Sequence, residues 1–165
     1  MIEVWTDGLC EPKNPGGTAC FGYVIKKDGG TIDEGYGAIG SGEDMTNNVG
    51  EYTALIRALE KIRTLKLDKE RVIVRSDSKL VAYGMGVDPS TGRGWKIKAP
   101  RVLPLYTKAK ILANGMDIVF QWVPREQNKE ADELSRHAYR CAKRDEPEYS
   151  KTGELKPKKS ELFEF

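Results

Sequence analysis

Cysteine, histidine and unbroken apolar sequence are all scarce in this chain of 165 residues. The three cysteines, Cys10, Cys20 and Cys141, form no CxxC pair and are odd in number. Neither a disulfide framework nor a zinc site is therefore expected, and reduced thiols are the default; a Cys10–Cys20 bridge is the one alternative left open. No apolar run approaches the roughly 18 residues of a membrane span, and the start carries no signal-peptide pattern. A cytoplasmic protein with no membrane partner is the expectation. Strong charge is missing too. The formal net charge is +2, and residues 144–165 hold five basic and six acidic groups, which leaves +3 before them. So weak a balance does not by itself establish nucleic-acid binding.

What is present is the profile of one globular domain, 39% hydrophobic and 32% charged. Residues 2–7 (IEVWTD), 18–26 and 31–39 read as three strands, with Gly29-Gly30 marking a hairpin and Gly35 and Gly37 weakening the third. Val49, Tyr52, Leu55, Ile56, Leu59 and Ile62 recur at helical spacing over 49–63, with Thr46, Asn47 and Asn48 as N-cap candidates. A short strand (71–77), a brief helix, a loop, a helix (101–113), a strand (116–123) and an amphipathic helix (127–143) follow. The order βββαβααβα predicts an α/β fold, a mixed five-stranded sheet flanked by helices. One domain over 1–143 is expected, then a polar tail over 144–165, mobile or loosely docked, ending in ELFEF.

The first strand closes on Asp7, and an unpaired charge in a core is costly. That carboxylate must be paired, at the surface, or holding a metal. Asp77 also ends a strand, one that neighbours the first if the crossover is right-handed. Glu51 and Asp132 each sit at the margin of an apolar helical stripe, at about 100° per residue. Taken singly, each acid has an ordinary explanation in helix-dipole, turn or solvated-surface chemistry. Together, four acids without clustered His or Cys suit a hard cation such as magnesium. Two such ions activate water and stabilise the leaving oxygen of a phosphodiester.

TDG followed by NPGG, then TNNVGEYTAL, VRSDS and NKEADELS, stand in the order of the four signature blocks of type 1 ribonuclease H. Over about residues 1–143 the chain resembles that family, in the compact branch common in archaea and some bacteria. The resemblance implies the ribonuclease H-like fold, with strand order 3-2-1-4-5 and the first three strands antiparallel. It implies that Asp7 bridges two Mg²⁺ ions, with Mn²⁺ as a substitute. Glu51 and Asp77 would hold the metal beside the leaving 3′ oxygen, and Asp132 would complete the site of the water-activating metal. The implied reaction cuts RNA within an RNA–DNA hybrid, leaving 5′-phosphate and 3′-hydroxyl ends; double-stranded RNA is a second candidate substrate. A monomer is expected.

Gly8 would let the substrate backbone approach. Asn14, Thr46, Asn47 and Asn48 match substrate-side positions, with Thr46 at a DNA phosphate, while turn and N-cap chemistry is a compatible reading. The loop with Arg93, Trp95, Lys96, Lys98 and Arg101 mixes cations with an indole, as a nucleic-acid backbone contact would. The alternative is a solvated loop with Trp95 tucked into the core. The family's larger basic protrusion is missing here. So is its loop histidine: the segment reads VPREQNK, and Arg125 or Glu126 is the candidate substitute. His137 lies about 140° around its helix from Asp132 and is expected to face solvent. Lys79 stands where relatives carry a neutral polar residue. The competing readings are a hybrid-binding module without catalysis, and a transposase or junction-resolving core.

Overall fold

The computed structural model describes residues 1–144 and the backbone of Tyr149–Ser150. Three long strands come first: β1 (Ile2–Glu11), β2 (Thr18–Lys27) and β3 (Gly30–Ser41). They are followed by α1 (Asn47–Thr64), β4 (Val72–Ser76), α2 (Lys79–Met85), α3 (Leu103–Ala113), β5 (Ile118–Trp122), a 3-10 turn at Arg125–Gln127 and α4 (Lys129–Ala142). The sheet runs β5-β4-β1-β2-β3, with β1 antiparallel to β2 and β2 to β3, while β4 lies parallel to β1 and β5 to β4. This is the expected mixed sheet of order 3-2-1-4-5. A two-residue strand, β6 (Tyr149–Ser150), adds to the outer edge of β3. Most of the polar tail, ELFEF included, lies outside the described residues.

Local chemistry explains the elements. Lys27 pairs with Gly30 across a two-residue turn, and both turn residues, Asp28 (φ 51°) and Gly29 (φ 83°), are left-handed. An Asp-Gly pair suits that geometry, which matches the twist of the joined strands. Thr46 caps α1 by accepting a hydrogen bond from the Val49 amide at 3.1 Å. All six residues of the α1 stripe are fully buried. They pack with Ile2, Val4, Phe21, Ile25, Val72 and Val74 of the sheet and with Leu105 and Ala109 of α3. Helix α4 packs on β1, β2 and β3. No helix among the described residues is long and apolar enough to cross a membrane.

The first strand does not stop at Asp7. It continues four residues to Glu11, because β2 keeps pairing through Glu11 and Thr18, whereas the pairing with β4 ends at Thr6 and Ser76. Asp7 thus occupies the point where β1 loses its neighbour on one side.

Candidate active site

Beyond Ser76, β4 turns away from β1 and Asp77 follows at once, which sets Asp77 beside Asp7 across the opening. Two glycines bring helices to the same place. A Cβ on Gly8 would overlap the main chain of Gly50 and Glu51, so only glycine admits the first turns of α1 against β1. Gly22 pairs with Asp7 across the β1–β2 ladder, and a Cβ there would lie 2.7 Å from both Ala131 O and Ser135 N of α4. Glu51 and Ser135 are carried in by these approaches, and the Ser135 hydroxyl donates to Asp7 Oδ2 at 3.2 Å.

Carboxylate oxygens of Asp7, Glu51 and Asp77 lie within 4.8 Å of one another. Asp7 and Glu51 are buried, and Glu51 Oε2 has no hydrogen-bond partner. Asp132 lines the same cleft of about 260 Å³, together with Gly8, Asn47, Arg125 and Arg136. It stands outside the tight trio. Its carboxylate receives Arg136 Nε at 3.1 and 3.2 Å, with Arg125 at 3.9 Å. A larger groove of about 800 Å³, lined by Met85, Ile111 and Phe120 among others, holds none of the acids. Volume is therefore a poor guide here, and the convergence of charge is the better one.

Electrostatics follow from the crowding. Burial foremost, then the charge of Asp77 and a hydrogen bond with Asp132, pushes Asp7 up from 3.8 to about 8. Glu51 is raised well above its ordinary value by burial and by the charges of Asp7 and Asp77. Without a counter-ion this cluster holds protons; a divalent cation would replace them. The donors are all oxygens and one is buried without a partner, so the residues present fit a hard cation such as Mg²⁺ or Mn²⁺.

Among the expected substrate residues, Gly8 and Asn47 line the cleft. The space beside Gly8 is filled by α1, which is the immediate reason for a glycine there. Asn14 Oδ1 accepts from the Asn47 amide at 3.0 Å, tying the Asn-Pro-Gly-Gly loop to the start of α1. Asn48 is exposed. Arg93, Trp95, Lys96 and Lys98 lie in an exposed loop and do not line the cleft. Trp95 is not in the core. It is 39% exposed, donates to Asp88 Oδ2 at 2.8 Å and meets the Tyr83 ring edge-on. Arg101 pairs with Asp44 at 3.4 Å, which links this loop to the segment before Thr46.

Of the two candidates for the missing histidine, Arg125 reaches the cleft, while Glu126 lines a separate pocket with Trp5 and Lys26. His137 does not face solvent as expected: α4 packs on β3, where the imidazole stacks on Tyr36 at 4.7 Å and meets Cys141 Sγ at 3.4 Å. Lys79 is turned over the Trp122 ring at 5.2 Å. Sequence reasoning missed Asn128, Ser135 and Arg136. Asn128 donates to Thr6 O at 2.8 Å and to Asp77 Oδ1 at 3.4 Å, tying the start of α4 to the opening between β1 and β4. The expected helix of 127–143 places Asn128 inside its first turn, whereas α4 starts at Lys129 and leaves Asn128 as the residue before it. Arg136 was readable as the i+4 neighbour of Asp132.

A family described as reverse transcriptase-like matches residues 6–138. The ribonuclease HI of Halobacterium salinarum is 35% identical over 141 residues, covering 83% of this chain and 63% of that protein. A protein of Mycobacterium tuberculosis described as bifunctional is 39% identical over 131 residues, 78% of this chain and 33% of its own length. The chain thus spans about a third of the length of the mycobacterial relatives it matches. Among solved structures, LC11-RNase H1 in complex with an RNA/DNA hybrid superposes with a TM-score of 0.72 or better in its two forms; the complex gives 0.74, at 37% identity over 86% of this chain and 99% of that one. Fold, acidic cleft and relatives agree, and the chain belongs to the type 1 ribonuclease H family.

Proposed function

We propose that the protein is a metal-dependent endoribonuclease that hydrolyses the RNA strand of RNA–DNA hybrids and leaves 5′-phosphate and 3′-hydroxyl ends. The observation that carries this reading is the convergence of Asp7, Glu51 and Asp77 on one point, with Asp132 in the same cleft. Two Mg²⁺ ions bound there, or Mn²⁺ in their place, would polarise the attacking water and the leaving oxygen. Asp7, the central and buried acid, would help to hold both. Glu51 and Asp77 would hold a metal on the side of the leaving 3′ oxygen, and Asp132 would complete the side of the attacking water. Asn128, bonded to both Thr6 and Asp77, fixes Asp77 against β1. Arg125, exposed at the cleft, is the group we assign in place of the loop histidine, and Glu126, which faces elsewhere, is set aside.

The hybrid would lie across Gly8, Asn14 and Thr46–Asn48, with the A-like duplex sensed by backbone and 2′-hydroxyl contacts. Arg93, Trp95, Lys96 and Lys98 would meet a flanking backbone, a reading supported by the exposure of the indole and its cations. Double-stranded RNA as a second substrate, a monomeric state, a cytoplasmic location and a functional boundary at residue 143 belong to the same proposal.

Cleavage of an end-labelled RNA strand, paired with DNA, paired with RNA or left single, tests it. Each substrate is incubated with Mg²⁺, Mn²⁺ or EDTA, with Asp7→Asn alongside. Metal-dependent cutting of the hybrid, lost in the variant, is the expected result. Hybrid bound by folded protein but never cut would replace the enzyme with a binding module.

A further inference from the structure

We infer that Arg136 is a built-in counter-ion that stands in for a divalent cation at Asp132 and must be displaced when the second metal enters. This rests on the two-metal reading above and adds a residue that sets how tightly that metal is held.

Three observations converge. First, the four acids are not equivalent: three gather their oxygens within 4.8 Å of one another, and Asp132, which meets Asp7, stands outside that trio. Second, Asp132 is the acid that already has a cation. The Arg136 Nε–H is shared between both of its oxygens, at 3.2 and 3.1 Å, from one turn further along α4. Third, Arg136 faces the cluster as a whole. It lines the acidic cleft, and the charges of Asp7 and Glu11 act on it in addition to that of Asp132. A guanidinium with its donor on a carboxylate leaves that carboxylate less available to a metal, because the same oxygen lone pairs serve both. Arg125 also approaches Asp132, but at 3.9 Å and from a more exposed position, so it holds the carboxylate less.

The consequence is an order of filling. The trio, with Glu51 Oε2 unpartnered, is open to the first cation whatever Arg136 does. A second cation, which Asp7 and Asp132 would hold, would compete with Arg136. Removing the guanidinium should therefore tighten the second binding step and leave the first nearly alone. An exposed ion pair of this kind is worth about 1 kcal/mol, equivalent to about fivefold in affinity.

The test uses the full chain without nucleic acid, so that it does not depend on turnover. Mn²⁺ is titrated by calorimetry and by the loss of its free electron-spin resonance signal, for wild type, Arg136→Gln, Arg136→Lys and Arg125→Gln, each checked for folding by circular dichroism. The expected result is two steps in the wild type. The second is tightened about fivefold in Arg136→Gln, less in Arg136→Lys, whose ammonium restores the charge, and least in Arg125→Gln. An unchanged or weakened second step in Arg136→Gln overturns the inference while leaving the nuclease reading intact. Absence of any Mn²⁺ binding by the wild type overturns both.

Discussion

Glu51 and Asp132 approach Asp7 on different helices, and the two helices are built differently. Helix α1 carries six fully buried apolar residues of its stripe and sits against the sheet and α3; Glu51 is buried in it with one oxygen unpartnered. Helix α4 lies nearer the solvent, and its Asp132 is partly exposed and paired with two arginines. The lesson is a division of labour. A packed helix supplies an acid whose position is fixed and whose charge is costly, while a surface helix supplies one that is already neutralised and can be re-paired.

The contrast can be broken most directly by activity. Glu51→Gln should lower hybrid cleavage on the order of a thousandfold, equivalent to about 4 kcal/mol at the transition state. Asp132→Asn should cost clearly less in single-turnover assays, and equal losses would erase the distinction.

Stability gives the next largest effect. For metal-free protein the sign follows from Asp7 and Glu51, whose folded values are raised. Their contribution is fully present below the ordinary carboxylate range, near pH 4, and is lost as pH rises through about 8, the folded value of Asp7. The unfolding free energy in EDTA should thus fall between pH 5 and 8.5 by a few kcal/mol, with the denaturant midpoint falling alongside, and Mg²⁺ should restore it at pH 8.5 but not at pH 5. A midpoint in EDTA that rises over this interval would contradict the buried cluster. Asp7→Asn should flatten the same curve while abolishing cleavage.

Two glycines compare the helices at closer range. Gly8→Ala should destabilise by about 3 kcal/mol, because the main chain of α1 at Gly50 and Glu51 has to move. Gly22→Ala should cost less, about 1–2 kcal/mol, since the added Cβ would come within 2.7 Å of α4 rather than 2.2 Å of α1. Urea unfolding of both variants decides it, and a reversed order would mean α4 is the more tightly held. The smallest effect belongs to a third region. Trp95→Ala should weaken hybrid binding by about 1 kcal/mol with an unchanged melting temperature, whereas a lost melting temperature would return Trp95 to a structural role.

The sequence was most informative where period and chemistry agreed. The α1 stripe was legible because Val49 through Ile62 keep helical spacing without interruption, and Thr46 precedes them with a capping hydroxyl. The four acids were legible as a set, since strand-end and helix-margin positions constrain where side chains point. The end of β1 was misjudged because Gly8 reads as a terminator, whereas the strand passes through it under a helix that only glycine admits. Asp132 lines the cleft, but its pairing with Arg136 depends on side-chain geometry that periodicity does not carry. His137 was sent to solvent by helical angle alone; the polar flank of α4 in fact leans on Tyr36 of β3. Trp95 could not be resolved from sequence, because its exposed setting depends on Asp88 of the same loop and on Tyr83 of α2.

The order of the sheet also bears on how copies of the molecule behave toward one another. An uncovered strand offers a row of main-chain donors and acceptors to any passing chain. Here β3, the longest strand, is met by β6 at Gly35 and Tyr36 of its outer side, and β1 lies in the interior of the sheet. The strand left at the opposite margin, β5, is five residues long and alternates Val119 and Gln121 on its more exposed side. So short a margin offers few hydrogen bonds for growth. The fold thereby sets a five-residue strand at one margin and a partly met β3 at the other, which limits the edge open to self-association.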